Sequence, residues 1–154
     1  MRWISLKSLV CTAAVAMIAG AGILHPATHS RTYPPLLHGA DMPADINNIF
    51  SRACEDCHSD TTEWPWYSHV PPMSKLIADD VQRGRAFLNL SDWQSYSKGR
   101  KLGFLIAMSS AVTTGEMPPS RYTLIHGDAR LTDAERQKIA AWAKQETARF
   151  THRN

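Results

Sequence analysis

The sequence predicts an all-α protein, and three observations carry that prediction. Apolar residues recur at helical spacing in four separate stretches. No stretch alternates apolar and polar residues in the way a half-buried strand would. The segments between the helical stretches are punctuated by Pro and Gly. An apolar helix is expected ahead of this small helical domain, giving residues 1–24 as a signal peptide or single-span anchor, 25–42 as an extended linker or wrapping arm, and 43–154 as the domain proper.

The first helix follows Pro43, with Ile46, Ile49, Phe50 and Ala53 at i, i+3, i+4 and i+7. It runs into Cys54-Glu55-Asp56-Cys57-His58. Residues 59–73 read as a loop rich in aromatics and prolines, containing Trp64-Pro65-Trp66-Tyr67 and Pro71-Pro72. The second helix is expected from about Ser74 to Leu88, with Ile77, Val81 and Leu88 on one face. Its Asp79 and Asp80 come early and its Arg83 and Arg85 late, the order a helix dipole favours. The third spans about Ser97 to Thr114, with Leu102, Leu105, Ile106 and Val112 inward and Gly115 as its stop. After Glu116-Met117-Pro118-Pro119, a fourth helix opens on Thr132-Asp133-Ala134-Glu135, a capping box, and buries Ile139, Trp142, Ala143 and Phe150.

The N-terminal segment has the layout of an export signal. Arg2 and Lys7 precede an uncharged apolar run from Ser8 to Leu24. It is long for a cleaved signal and slightly short for a comfortable span. Either reading sends the rest of the chain across a membrane. Cys11 lies in this run and lacks a small residue before it, so it reads as an apolar member of the segment. The chain has 17 basic and 14 acidic residues. Setting aside Arg2 and Lys7 leaves 15 basic against 14 acidic, a near-neutral domain with no electrostatic case for nucleic acid.

Cys54-x-x-Cys57-His58 is the spacing of a covalent haem attachment site. Thiols three positions apart on a helical turn reach the two vinyl groups of one porphyrin, and the next residue presents an imidazole to the iron. A thioredoxin-like redox pair would want a βαβ setting. Structural zinc would want a second pair of ligands. A disulfide across so short a loop would stabilise little. One covalently attached haem c is therefore expected, with Cys54, Cys57 and His58 as its protein bonds. For the opposite axial position Met117 is the first choice, in a loop stiffened by Pro118 and Pro119; a thioether opposite histidine raises reduction potential. Met73 opens a helix close to His58, and Met108 falls within the third helical stripe, where methionines commonly just pack. His69 or His126 would give bis-histidine ligation. Trp64, Trp66 and Tyr67 are candidates for walling the haem or for a general core patch. Arg83, Arg85 and Arg100 are candidate propionate partners or solvated residues.

At these residues the chain resembles the small bacterial haem-binding domain family of exported, cytochrome c-like proteins, from about Tyr33 to Trp142. The likeness rests on Cys54-x-x-Cys57-His58-Ser59, Trp64-Pro65-Trp66-Tyr67-Ser68, Asp80-Val81-x-x-Gly84-Arg85, Leu88-Asn89-Leu90-Ser91-x-Trp93, and Met117-Pro118-Pro119 with Tyr122 and His126 behind it. The tryptophan-containing runs are not general to cytochromes c. The resemblance implies a cytochrome c-like helical domain around one haem, on the periplasmic side of the inner membrane and often tethered there. It brings no defined physiological activity.

Two functional classes follow. With both axial positions filled, the iron would carry single electrons to or from a redox protein or a membrane-bound oxidase or reductase. With an open or displaceable distal ligand, it would serve a haem sensor or a peroxidase-like enzyme. A haem that is chiefly structural is a third reading.

Overall fold

In the computed structural model, which describes residues 36–152, six α-helices and three 3-10 turns account for the regular structure, and no strand occurs among the described residues. In chain order these are α1 (Ala44–Ala53), α2 (Glu55–His58), a 3-10 turn (Trp66–His69), α3 (Met73–Phe87), a second 3-10 turn (Leu90–Ser95), α4 (Lys98–Thr113), α5 (Ser120–Thr123), a third 3-10 turn (Gly127–Ala129) and α6 (Asp133–His152). None of the described helices is long and apolar enough to cross a membrane. The segment expected to be an apolar signal or anchor, and most of the expected linker, lie outside the described residues.

The four long helices sit within a residue or two of their expected positions. The stop of α4 at Gly115 is a backbone requirement, because its φ of +80° suits a residue without Cβ. At the start of α6, Thr132 donates its N–H to Glu135 Oε2 at 2.9 Å, and the Glu135 N–H returns to Thr132 Oγ1 at 3.2 Å. That is the reciprocal capping box. Arg52 from α1 adds an ion pair to Glu135 and a bond to the Asp128 carbonyl, so the cap also ties α6 to α1.

One apolar core joins these pieces. Ile46, Ile49, Phe50 and Ala53 of α1 meet Ile139, Trp142 and Ala143 of α6, with Leu105 and Val112 of α4 in the same cluster. Phe50 and Trp142 contact edge to face, with ring centroids 5.6 Å apart, a geometry aromatic quadrupoles favour. The α4 stripe differs from expectation: Ile106 is 64% exposed, and Phe104 is buried in its place. Phe104 turns toward Tyr96, whose ring lies 5.0 Å away, while Ile106 lies on a shallow groove between α4 and α6.

The described end of the arm, residues 36–42, wraps onto the domain. Leu37 is buried and its N–H bonds the Leu90 carbonyl at 3.2 Å. The indole N–H of Trp142 donates to the Asp41 carbonyl at 2.8 Å. Glu146, a carboxylate buried to 2% exposure that the sequence pattern did not mark, accepts the Asp41 N–H and is paired with Arg149. A buried charge persists only with such partners.

The Thr132 backbone N–H, despite opposing desolvation, holds the Glu135 carboxyl below its usual range, helped by the Thr132 hydroxyl and Arg52. A carboxylate depressed in the folded state stabilises it above the unfolded-state value and loses that effect as pH falls through the depressed one. Glu135→Gln should therefore flatten acid unfolding near the carboxylate range, as followed by circular dichroism; an unchanged acid transition would show that the cap contributes nothing.

Candidate haem site

The Cys54–His58 motif sits at the junction of α1 and α2. Cys54 bonds its N–H to the Phe50 carbonyl, the last bond of α1, and the His58 N–H bonds the Cys54 carbonyl at 3.0 Å. Cys57 and His58 thus belong to a single helical turn that starts after Cys54. Both cysteines are free thiols and half-buried. Burial, and the neighbouring Cys57, push the Cys54 thiol up to about 12; burial and then Asp56 push Cys57 up to about 11. They are neutral thiols at physiological pH, unlike the depressed thiolates of redox-active pairs.

His58 is held from behind. Its Nδ1–H donates to the Leu88 carbonyl at 2.9 Å. A carbonyl only accepts, so the proton is on Nδ1 and the lone pair is on Nε2. Burial pushes this imidazole below its ordinary value and keeps it neutral. A neutral ring with its outer nitrogen fixed by a carbonyl is the arrangement that orients a histidine toward a metal.

The close approach of α3 makes this possible. A Cβ built on Gly84 would collide with the carbonyl oxygen of Cys57. Arg85, the next residue, donates Nε–H to the Ser59 carbonyl at 2.6 Å and Nη2–H to Thr62 Oγ1 at 2.7 Å. It was a candidate propionate partner and is instead committed to the segment leaving the motif. Asn89 completes the cradle: its amide donates to Asp60 and Asp92, both at 3.0 Å, while its oxygen accepts the Ser91 N–H. Asp60 N–H in turn donates to Ser91 Oγ at 3.1 Å. The run Leu88–Trp93 is thus the support for the motif's C-terminal side.

The other candidates are placed as follows. Met117 lies in the loop after α4, with its N–H on the Ala111 carbonyl and its own carbonyl accepting from Arg136; its side chain is 39% exposed. Met73 is half-buried at the start of α3, and Met108 packs against the core. His69 is exposed. His126 has both ring nitrogens engaged: Nδ1–H donates to the Tyr122 carbonyl at 3.1 Å, and Nε2 accepts from Tyr67 O–H at 2.8 Å. Trp64 and Trp66 are 45% and 79% exposed, so they form no core patch. The reason is local: the one-turn helix that carries Trp66 buries only Ser68. Arg83 is exposed, and Arg100 lies over the Tyr96 and Phe104 rings.

The residues present fit a haem. Cys57 and the oriented His58 stand on one turn, with the Cys54 thiol at its N-cap. Among the described residues, the buried indole N–H of Trp93 has no acceptor. An unpaired buried donor costs about 1–3 kcal/mol, and this one is enclosed in the apolar core. No group of three or more His, Cys, Asp or Glu among the described residues is placed to hold a bare metal ion.

The sequence profile of the haem-binding domain family matches residues 16–145. The chain belongs to that family. It is also similar to cytochrome c peroxidase Ccp of Escherichia coli (strain K12), 28% identical over 102 residues that cover 64% of this chain. The match takes in only 22% of that peroxidase. No solved structure matches the chain. The haem-binding domain is thus all-helical over its described part.

Gly84, Asn89 and Tyr122 stand in the runs that carry the resemblance, and the sequence alone assigns them no role. A glycine inside a helical pattern was the available signal for close packing, and Asn-x-Ser for a side chain bonding its own backbone.

Helix propensity alone favours Gly84→Ala by about 1 kcal/mol. The collision with Cys57 outweighs it, so thermal unfolding should show a net loss of about 1–3 kcal/mol. A higher Tm in the variant would mean that α3 does not depend on this contact.

Proposed function

We propose that this haem-binding domain carries one covalent haem c through Cys54 and Cys57 with His58 and Met117 as axial ligands, and that it works in one-electron transfer on the periplasmic side of the membrane. The observation that carries the reading is the His58 Nδ1–Leu88 bond, because it orients the imidazole that follows the two cysteines. Each thiol would add across a vinyl double bond, its hydrogen going to the neighbouring carbon, so no oxidant is consumed.

Bound haem supplies a centre that gains and loses one electron. The chain's part is to fill both axial positions and keep the proximal ligand still. Leu88, Gly84 and Arg85 together immobilise His58 and the turn that bears it, which limits reorganisation when the charge on the site changes. The partner would be a redox protein or a membrane-bound oxidase or reductase, met in a small transient contact. A second reading, a peroxidase-like enzyme or haem sensor, is favoured by the similarity to a peroxidase and by the exposed Met117 side chain. That match covers only 22% of the peroxidase, so its activity as a whole is weak support for this second reading.

Cys57→Ala, produced alongside cytochrome c maturation factors, should retain haem through one thioether at most; mass spectrometry of the denatured chain reads this directly, and two thioethers would end the assignment. Met117→Ala should lower the reduction potential and admit carbon monoxide to the reduced protein. A potential and spectrum equal to the parent would remove Met117 from the iron.

A further inference from the structure

Besides the Arg52 bond to the Asp128 carbonyl, side-chain bridges tie the segment that follows Met117 to α3, to the turn bearing Cys57, and to the 3-10 turn Trp66–His69. Arg121 of α5 makes a two-point ion pair with Asp80 of α3, at 3.0 and 2.6 Å. Tyr122 O–H donates to Asp56 Oδ2 at 2.8 Å. His126 accepts from Tyr67 O–H, and its ring stacks on Tyr122 with centroids 4.1 Å apart. Asp56 is the residue between the two cysteines, and its other oxygen accepts the Glu63 N–H at 3.0 Å. It is therefore fixed from both sides.

We infer that the Tyr122–Asp56 bond is the latch that keeps the Met117 loop closed over the haem, making Tyr122 a positioning residue for the distal ligand. This deepens the proposed ligation and rests on Met117 being that ligand. The backbone geometry gives the latch its leverage. Met117, Pro118 and Pro119 lead directly into α5, whose first turn bonds back to Pro119 through the N–H groups of Tyr122 and Thr123. Movement of Tyr122 therefore moves the Met117 loop with it. On the near side of the loop Met117 N–H bonds the Ala111 carbonyl, the Arg136 side chain donates to the Met117 and Val112 carbonyls, and Pro118 is buried. These bonds anchor it to α4 and α6, and none of them reaches the motif. Of the side-chain bridges beyond the loop, only Tyr122 bonds a residue of the Cys54–His58 motif; Arg121 and His126 bond Asp80 and Tyr67, outside it.

Tyr122→Phe keeps the ring and its stacking on His126 while deleting one hydrogen bond to a carboxylate. The loss should raise the open, ligand-off population about tenfold or more. The test uses the full chain, matured with covalent haem, with carbon monoxide as the probe of the reduced iron. The parent, Tyr122→Phe, Met117→Ala and the double variant are compared for extent and rate of binding and for the iron–thioether charge-transfer band of the oxidised form. The inference expects faster binding and a weaker band in Tyr122→Phe, and a double variant equal to Met117→Ala alone. If Met117→Ala is open while Tyr122→Phe matches the parent, the latch is overturned and the ligation stands. If Met117→Ala itself matches the parent, the ligation falls and takes the latch with it. An additive double variant would mean Tyr122 acts on the fold at large, which also overturns a positioning role. Arg121→Gln, at an exposed site, covers the case in which Tyr122→Phe does not fold; it should shift binding the same way by a smaller factor, and no shift would count against the latch.

Discussion

The organising constraint is the contact between α3 and the turn bearing Cys57 and His58. It depends on an atom that is missing: without a Cβ at Gly84, the helix backbone lies directly against the Cys57 carbonyl. That depth of approach lets the C-terminal end of α3 deliver the Leu88 carbonyl to His58 Nδ1. It also brings Arg85 within reach of Ser59 and Thr62. The orientation of the imidazole, its tautomer and the path of the chain beyond the motif all follow from one position in α3. A larger residue there would disturb all three at once, since they share the same helix.

The same logic explains why several short runs occur together in one chain. The Leu88–Trp93 run supports the motif's exit through Asn89, Asp60 and Ser91. The run Trp64–Ser68 supplies Tyr67 to His126. Asp80 meets Arg121, and Tyr122 meets Asp56. Residues that look like separate signatures along the sequence are pairwise partners in space, converging on the few residues around Cys54–His58. Such pairings cost ordering entropy in a small domain. They are concentrated around one turn, where rigidity has a use.

The helices, and the turn that carries Cys57 to His58 at the end of the first of them, were legible in the sequence because each is a local pattern. Ile46–Ala53, the Thr132–Glu135 cap and Gly115 need only neighbours a few residues away, and the structure places them as read. What was not legible depends on long-range partners. Arg85 looked like a carboxylate ligand because guanidinium suits carboxylates, and nothing local revealed the Ser59 carbonyl waiting for it. Ile106 and Phe104 are both apolar and two positions apart, and only the position of Tyr96 decides which is buried. Glu146 reads as a surface residue of α6 until the Asp41 segment folds over it. His126 is a plausible iron ligand by composition, yet its two nitrogens are committed to Tyr67 and Tyr122.

That last commitment bears on how the proposed distal position is controlled. A histidine donating and accepting within a network of tyrosines is a structural strut, so the loop it ends is braced at His126 and driven, if at all, from Tyr122. The strength of the brace is graded. The Arg121–Asp80 pair is exposed, and exposed ion pairs contribute about 0–1 kcal/mol and weaken with salt. The Tyr122–Asp56 bond is partly buried and uses a charged acceptor, which strengthens it to about 1.5–3 kcal/mol. On the proposed reading, that is a design for keeping a thioether on iron during electron transfer while leaving a single bond whose loss exposes the metal. The carrier and the ligand-binding readings then differ by the state of one tyrosine rather than by fold.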